Sequence, residues 1–198
     1  MKLQRRAAMA ALVADRADDL LVVPGLGSTT WDLAAAGDNP KNFYLWGAMG
    51  GAAMIGLGLA LAQPRKRVAV ITGDGEMLMG LGAFATIGVQ QPTNLAIIVF
   101  DNGLYGETGG QPSHTQSRVD LVAIARGAGF PDCIEVADQA GLDALAARLK
   151  NLDGLLFARV TIAADDPPRV LPERDGVAIK QRFRAALGLE AQVSAPSP

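Results

Sequence analysis

Two apolar runs that end in glycine-flanked acid or amide residues constrain this chain more than anything else in it. Val68–Thr72 leads into Gly73-Asp74-Gly75-Glu76, and Leu95–Phe100 leads into Asp101-Asn102-Gly103. Both runs are short, continuous and rich in β-branched residues, as strands buried on both faces are. A helical pattern, Met77–Val89, lies between them. Strand, helix, strand is the unit of a parallel sheet, and it brings Asp74 and Asn102 side by side at the carboxyl ends of their strands. Open α/β sheets bind their ligands at that edge. A carboxylate and an amide oxygen beside glycine-rich backbone suit a hard cation and the phosphates it carries.

The rest of the chain repeats the alternation. Leu20–Val23, Phe43–Leu45, Cys133–Val136 and Gly154–Ile162 read as further strands. Helical patterns occupy the N-terminus, the stretch from the Trp46-Gly47-Ala48-Met49-Gly50 loop to Ala62, and Val119–Ala128, Gln139–Lys150 and Gly176–Leu187. The expected fold is therefore α/β: a doubly wound, mostly parallel, six-stranded sheet with helices on both faces. Residues 1–188 are expected to form one domain, and the Ala/Ser/Pro-rich tail 189–198 to be disordered. Right-handed crossovers put every strand-to-helix loop on one rim. Gly25–Thr30, Trp46–Gly50, Gly73–Glu76 and Asn102–His114 share that rim, and they are the most glycine-rich or polar stretches present.

Composition narrows the classes of function. The formal charge is −2 and charged residues are 19%, so no basic excess points to nucleic acid. The single cysteine, Cys133, excludes an intrachain disulfide framework and a cysteine metal cluster, which fits a cytoplasmic protein. Lys2, Arg5 and Arg6 before AAMAALVA mimic a signal peptide, but the apolar run is short and leads into Asp15-Arg16-Ala17-Asp18-Asp19; an amphipathic helix is expected. Leu45–Ala62 carries no charge, yet its glycines and alanines make it only weakly hydrophobic, so a buried helix rather than a membrane span is expected.

At Gly73-Asp74-Gly75-Glu76 the glycines let backbone N–H groups approach a phosphate at the start of a helix. Asp74 suits Mg²⁺, which usually takes one or two carboxylates plus phosphate oxygens. Asn102 adds a neutral oxygen, and the Leu104 carbonyl completes a protein half-shell. Either motif alone is explained by a helix cap or an ordinary turn; two strand ends with one helix between them favour the site. There is no P-loop. Gly25-Leu26-Gly27 lacks the third glycine of a dinucleotide fingerprint, and no Cys/His set is spaced for zinc.

These residues resemble the thiamine diphosphate motif, a G-D-G followed after a second strand by N. The chain is similar, over nearly its whole length, to the pyrophosphate-binding domain of thiamine diphosphate-dependent 2-oxo acid decarboxylases. The resemblance implies that Gly27-Ser28-Thr29 reach the diphosphate, together with Gly73, Gly75 and Glu76. Asp74, Asn102 and the Leu104 carbonyl would ligate Mg²⁺. Gly47, Ala48 and Met49 would lie under the aminopyrimidine ring, the Gly47 carbonyl taking the 4′-amino group and Met49 supporting the bent cofactor. Asp101–Gln111, with Tyr105 and Gly106 inside it and its T-G-G-Q segment, looks like the β subunits of sulfopyruvate decarboxylase and the related phosphonopyruvate decarboxylases. A comparable basic-aromatic helix, Ile179-Lys180-Gln181-Arg182-Phe183, closes those chains.

The resemblance also implies an absence. Activation of the cofactor needs a glutamate from a pyrimidine-binding domain, which these residues do not contain. A separate α subunit would supply it in a hetero-oligomer, and alone the chain would bind Mg²⁺ and diphosphate weakly. Decarboxylation of a small 2-oxo acid would then run through the cofactor's C2 ylid and an enamine to an aldehyde. His114, the sole histidine, stands as a candidate proton donor or partner of an anionic substrate, and Glu107 as a proton relay; an exposed loop histidine and carboxylate are the plain alternatives. Acetolactate synthase-like carboligation and a non-catalytic cofactor-binding scaffold are the competing readings. A 2-oxo acid:ferredoxin oxidoreductase β subunit fits less well, because one cysteine cannot ligate an iron–sulfur cluster.

Overall fold

A computed structural model describes residues 2–189; most of the tail expected to be disordered, 190–198, lies outside the described residues. The main sheet is built from β1 (Leu20–Pro24), β2 (Arg67–Gly73), β3 (Leu95–Asp101), β6 (Asp132–Val136) and β7 (Leu156–Thr161). All five are parallel, in the order β1-β2-β3-β7-β6. Central β3 is buried at every position, which its unbroken Leu-Ala-Ile-Ile-Val-Phe run requires, since alternate residues face opposite layers.

Helices cover both faces. Met9 and Leu12 of α1 (Arg5–Val13), Leu33 of α2 (Ser28–Ala35) and Leu142, Leu145 and Leu149 of α7 (Gln139–Leu149) pack on one face. Leu57 of α3 (Ala52–Ala62), Met77 of α4 (Asp74–Met79), Phe84 and Ile87 of α5 (Ala83–Gln90) and Leu121 of α6 (Leu121–Gly127) pack on the other. Phe84 stacks edge-on against Phe130 and Phe157, each at 5.3 Å between centroids. Helix α8 (Gly176–Ala186) places Ile179 in the first layer and Phe183 in the second.

The expected six-stranded sheet is corrected to five strands. Phe43–Leu45 is not a strand: the Phe43 N–H donates to the Val22 carbonyl at 2.8 Å and a single parallel bridge, Val22 with Asn42, forms beside β1. The pairing stops there because the Tyr44 ring is buried, with its hydroxyl held by Asp38 at 3.0 Å and the Asn42 amide at 3.1 Å. The chain then turns away through Trp46, whose indole N–H donates to the Glu173 carbonyl at 2.9 Å. Met77–Val89 is likewise not one helix; it breaks at Gly80-Leu81-Gly82 into α4 and α5. The loop Gly103–Ser117 contains a two-residue antiparallel hairpin, β4 (Leu104–Tyr105) with β5 (Gln111–Pro112), and 3₁₀ turns at Gly106–Thr108 and His114–Gln116. Among the described residues no helix is long and apolar enough to cross a membrane.

The register of β2 on β3 sets the layout of the carboxyl edge. Thr72 pairs with Val99 and Gly73 with Phe100, so Asp74, the first residue after β2, follows Gly73 just as Asp101, the last residue of β3, follows Phe100. Asn102 comes one step later.

Candidate functional site

A cavity of about 250 Å³ opens at the carboxyl edge of the sheet, over β1, β2 and β3. Ser28, Thr29, Met49, Gly73, Asp74, Gly75, Glu76, Asn102, Leu104, Tyr105, Gly106 and Glu107 line it. Four of the sequence-derived candidates stand outside its lining. Gly27 is the N-cap of α2, close against the Glu107 carboxylate. Gly47 and Ala48 sit exposed beside Met49 at the rim. His114 is exposed, with Nδ1 3.2 Å from the Tyr105 hydroxyl.

Asp74 is 2% exposed. Its carboxylate oxygen Oδ2 accepts from the Ser113 hydroxyl and, at 3.2 Å, from the Thr115 hydroxyl. Burial pushes its pKa up, and the neighbouring Asp101 charge pushes the same way against those hydroxyls. Asn102 accepts the Leu104 N–H on Oδ1 at 2.9 Å, a tight turn that brings Asn102 and Leu104 to the same wall as Asp74. Asp101, just before it, is fixed on both oxygens: Oδ1 takes the Gly103 N–H and the Thr115 hydroxyl, each at 2.9 Å, and Oδ2 takes Arg159 Nε at 2.7 Å.

Glu76 does something the sequence did not announce. Its carboxylate accepts from the Thr72 hydroxyl at 2.8 Å, the Leu26 N–H at 2.8 Å and the Gly50 N–H at 3.3 Å. One side chain thereby ties the end of β2 to the loops after β1 and before α3. Gly25 leaves the room: a Cβ there would stand 1.9 Å from Glu76 Oε2. The Thr29 and Thr30 hydroxyls turn inward to the Gly25 carbonyl, at 3.0 and 2.7 Å, so the start of α2 meets the cavity with its backbone and with Ser28. Tyr105 turns one edge of its ring to Gly75, where a Cβ would fall 2.6 Å from Cδ1 and Cε1.

The far wall had no signal in the sequence. Arg5 and Asp32, both almost fully buried, pair at 3.0 Å, and Arg6 Nε reaches the other Asp32 oxygen at 3.1 Å. Arg169, from the link after β7, rests over the Trp31 ring at 4.3 Å and lies 3.9 Å from Glu107. These residues come from α1, from α2 and from the Pro-rich link, and no local pattern connects them.

A magnesium ion and a diphosphate fit this arrangement. Among the described residues no group of three or more His, Cys, Asp or Glu converges, so an all-protein cage is not what is built. Asp74, Asn102 and Leu104 line one cavity, and a buried carboxylate with an amide oxygen and a backbone carbonyl nearby suits an ion that keeps phosphate or water ligands. A cation there also relieves the penalty that burial and Asp101 impose on Asp74.

Comparison with known proteins bears on the diphosphate. Residues 26–160 match the family of the thiamine pyrophosphate enzyme C-terminal TPP-binding domain, and the chain belongs to that family. Within it, the chain is 39% identical over 166 residues to the β subunit of sulfopyruvate decarboxylase from Methanothermobacter thermautotrophicus, covering 84% of this chain and 86% of that subunit. It is 39% identical over 189 residues to phosphonopyruvate decarboxylase from Streptomyces viridochromogenes, covering 91% of this chain but only 45% of that longer protein. The structure of benzoylformate decarboxylase from Polynucleobacter necessarius superposes with a TM-score of 0.70 at 19% identity, over 85% of this chain and 34% of the other, which shows the shared fold.

Proposed function

We propose that this chain is the cofactor-anchoring β subunit of a split, thiamine diphosphate- and Mg²⁺-dependent 2-oxo acid decarboxylase. Its substrate is a short 2-oxo acid with an anionic tail, of the sulfopyruvate or phosphonopyruvate kind, and residues 1–188 act as one binding domain. The observation that carries the reading is that the ends of the paired strands β2 and β3 bring Asp74 and Asn102 to the lining of one cavity. The names of the relatives support the reaction class and the β-subunit role.

Bound here, thiamine diphosphate supplies the electron sink for loss of CO₂. Asp74, Asn102 and the Leu104 carbonyl hold the metal, while the backbone from Gly73 to Gly75 and the start of α2 take the diphosphate. Glu76 keeps those loops in register. Gly47, Ala48 and Met49 remain exposed at the rim, on the side where a separate pyrimidine-binding subunit would close over the cofactor and supply the activating glutamate. Glu107 borders the cavity and His114 approaches it only through Tyr105; their place is in handling substrate or a proton after the partner has closed.

The test is reconstitution. The chain, its partner, thiamine diphosphate and Mg²⁺ together should release CO₂ from sulfopyruvate or phosphonopyruvate, and the chain alone should release none. Cofactor binding by the complete assembly without CO₂ release from any 2-oxo acid would remove the decarboxylase and leave the binding domain.

A further inference from the structure

The long loop after β3 is fastened to the strand ends through two hydroxyls that flank the only histidine. Ser113 is 3% exposed, and its N–H donates to the Gly103 carbonyl at 2.7 Å. Its hydroxyl donates to Asp74 Oδ2, and Thr115 Oγ1 stands 2.8 Å from Ser113 Oγ, 2.9 Å from Asp101 Oδ1 and 3.2 Å from Asp74 Oδ2. Each hydroxyl carries one proton. Ser113 spends its proton on Asp74, and Thr115 Oγ1 stands between the two carboxylates, its single proton shared between Asp101 Oδ1 at 2.9 Å and Asp74 Oδ2 at 3.2 Å. Both hydroxyls gather at the same Asp74 oxygen, Oδ2, and no hydroxyl meets Oδ1. The two hydroxyls thus hold the carboxylate by one oxygen.

Resting on the reading of Asp74 as a metal ligand, we infer that Ser113 and Thr115 are positioning residues that lock the Asp74 carboxylate for the metal and make the metal anchor and the His114 loop one mechanical unit. Groups that hydrogen-bond a ligating carboxylate fix its orientation, and their loss typically lowers metal affinity about 10- to 100-fold. The same contacts run outward from Thr115 through Asp101 to Arg159, and from Arg159 Nη1 to Glu135 at 3.2 Å, so the anchor is braced against β6 and β7. Between the two hydroxyl residues, His114 is carried to the Tyr105 hydroxyl, and Tyr105 in turn covers Gly75. Ordering the metal site therefore orders the Tyr105 and His114 side of the rim.

Mn²⁺ in place of Mg²⁺ makes the inference measurable, by titrating the free ion's paramagnetic resonance signal in the presence of saturating thiamine diphosphate with the full chain and its partner. Ser113→Ala and Thr115→Val should each weaken Mn²⁺ binding by about tenfold or more, and Thr115→Ser should restore it. In the wild type, amide hydrogen exchange across 103–117 should slow when Mn²⁺ and thiamine diphosphate are added, and in Ser113→Ala that slowing should be lost. Wild-type affinity in both variants overturns the clamp while leaving Asp74 a ligand, as does a Thr115→Ser no better than Thr115→Val. Absence of Mn²⁺ binding in the wild type overturns the ligand assignment and the clamp together.

Discussion

Asp74 and Glu76 stand two residues apart at the end of one strand, both buried and both held above the usual carboxylate range by burial. Their partners differ. Glu76 collects two backbone N–H groups and a threonine hydroxyl from three segments, which is how a side chain serves structure. Asp74 collects two hydroxyls on one oxygen, both from the long loop after β3, and faces a cavity. The contrast extends to the two halves of the rim. In the half centred on Glu76 one buried carboxylate ties the backbone of two loops to the end of β2, whereas Glu107 and His114 in the other half are exposed. A tied rim at Glu76 thus stands against an exposed loop at Glu107 and His114.

The comparison breaks most sharply at Asp74. Asp74→Ala should lower metal-dependent thiamine diphosphate affinity by more than about 100-fold, beyond what loss of an outer partner costs, with little change in thermal stability; calorimetric titration and a melting curve read both. Affinity close to wild type would end the claim that the two acids have different work. Glu76→Ala should do the reverse first. Leaving the Leu26 and Gly50 N–H groups unpaired should cost about 3 kcal/mol and lower the melting temperature by roughly 6–12 °C, with weaker cofactor binding resulting from the loosened loops. An unchanged melting curve would mean the staple is redundant.

Gly75→Ala probes the seam between the halves. The added Cβ meets the Tyr105 ring at 2.6 Å, so the ring must move, at a cost of about 1 kcal/mol. Cofactor affinity should fall more than stability does, as measured by the same two methods. Smallest of all, Tyr105→Phe removes only the exposed contact to His114. It should change stability by no more than about 0.5 kcal/mol in urea titration, and any larger loss would make the loop half as structural as the Glu76 half.

Much of the fold was legible because burial on both faces leaves a plain signature. The runs at Val68–Thr72 and Leu95–Phe100 fall inside β2 and β3, and the parallel sheet results from the alternation. Phe43–Leu45 misled because an aromatic run beside a glycine loop reads as a strand, while Tyr44 is buried by its ring and its hydroxyl bonds rather than by a ladder. The helix break at Gly80 and the two-residue strands of the 103–117 loop are too short for any periodicity to show. At the site, glycines and strand ends drew attention to Asp74 and Asn102, and both line the cavity. Ser113 and Thr115 drew none, because a serine and a threonine in a polar loop look the same whether they face water or a carboxylate.

The sequence by itself determined an α/β chain with an acid and an amide at neighbouring strand ends, since strand burial and turn chemistry are local and the crossover rule fixes which edge the ends share. Tertiary structure alone decided what each acid does. Glu76 became a staple because Leu26 and Gly50, 50 and 26 residues away, present their N–H groups to it. Asp74 met Ser113, 39 residues on, and Asp101 met Arg159, 58 residues on. Hydrogen bonds formed over such separations depend on the packed sheet holding both partners in place, and no stretch of sequence carries that information alone.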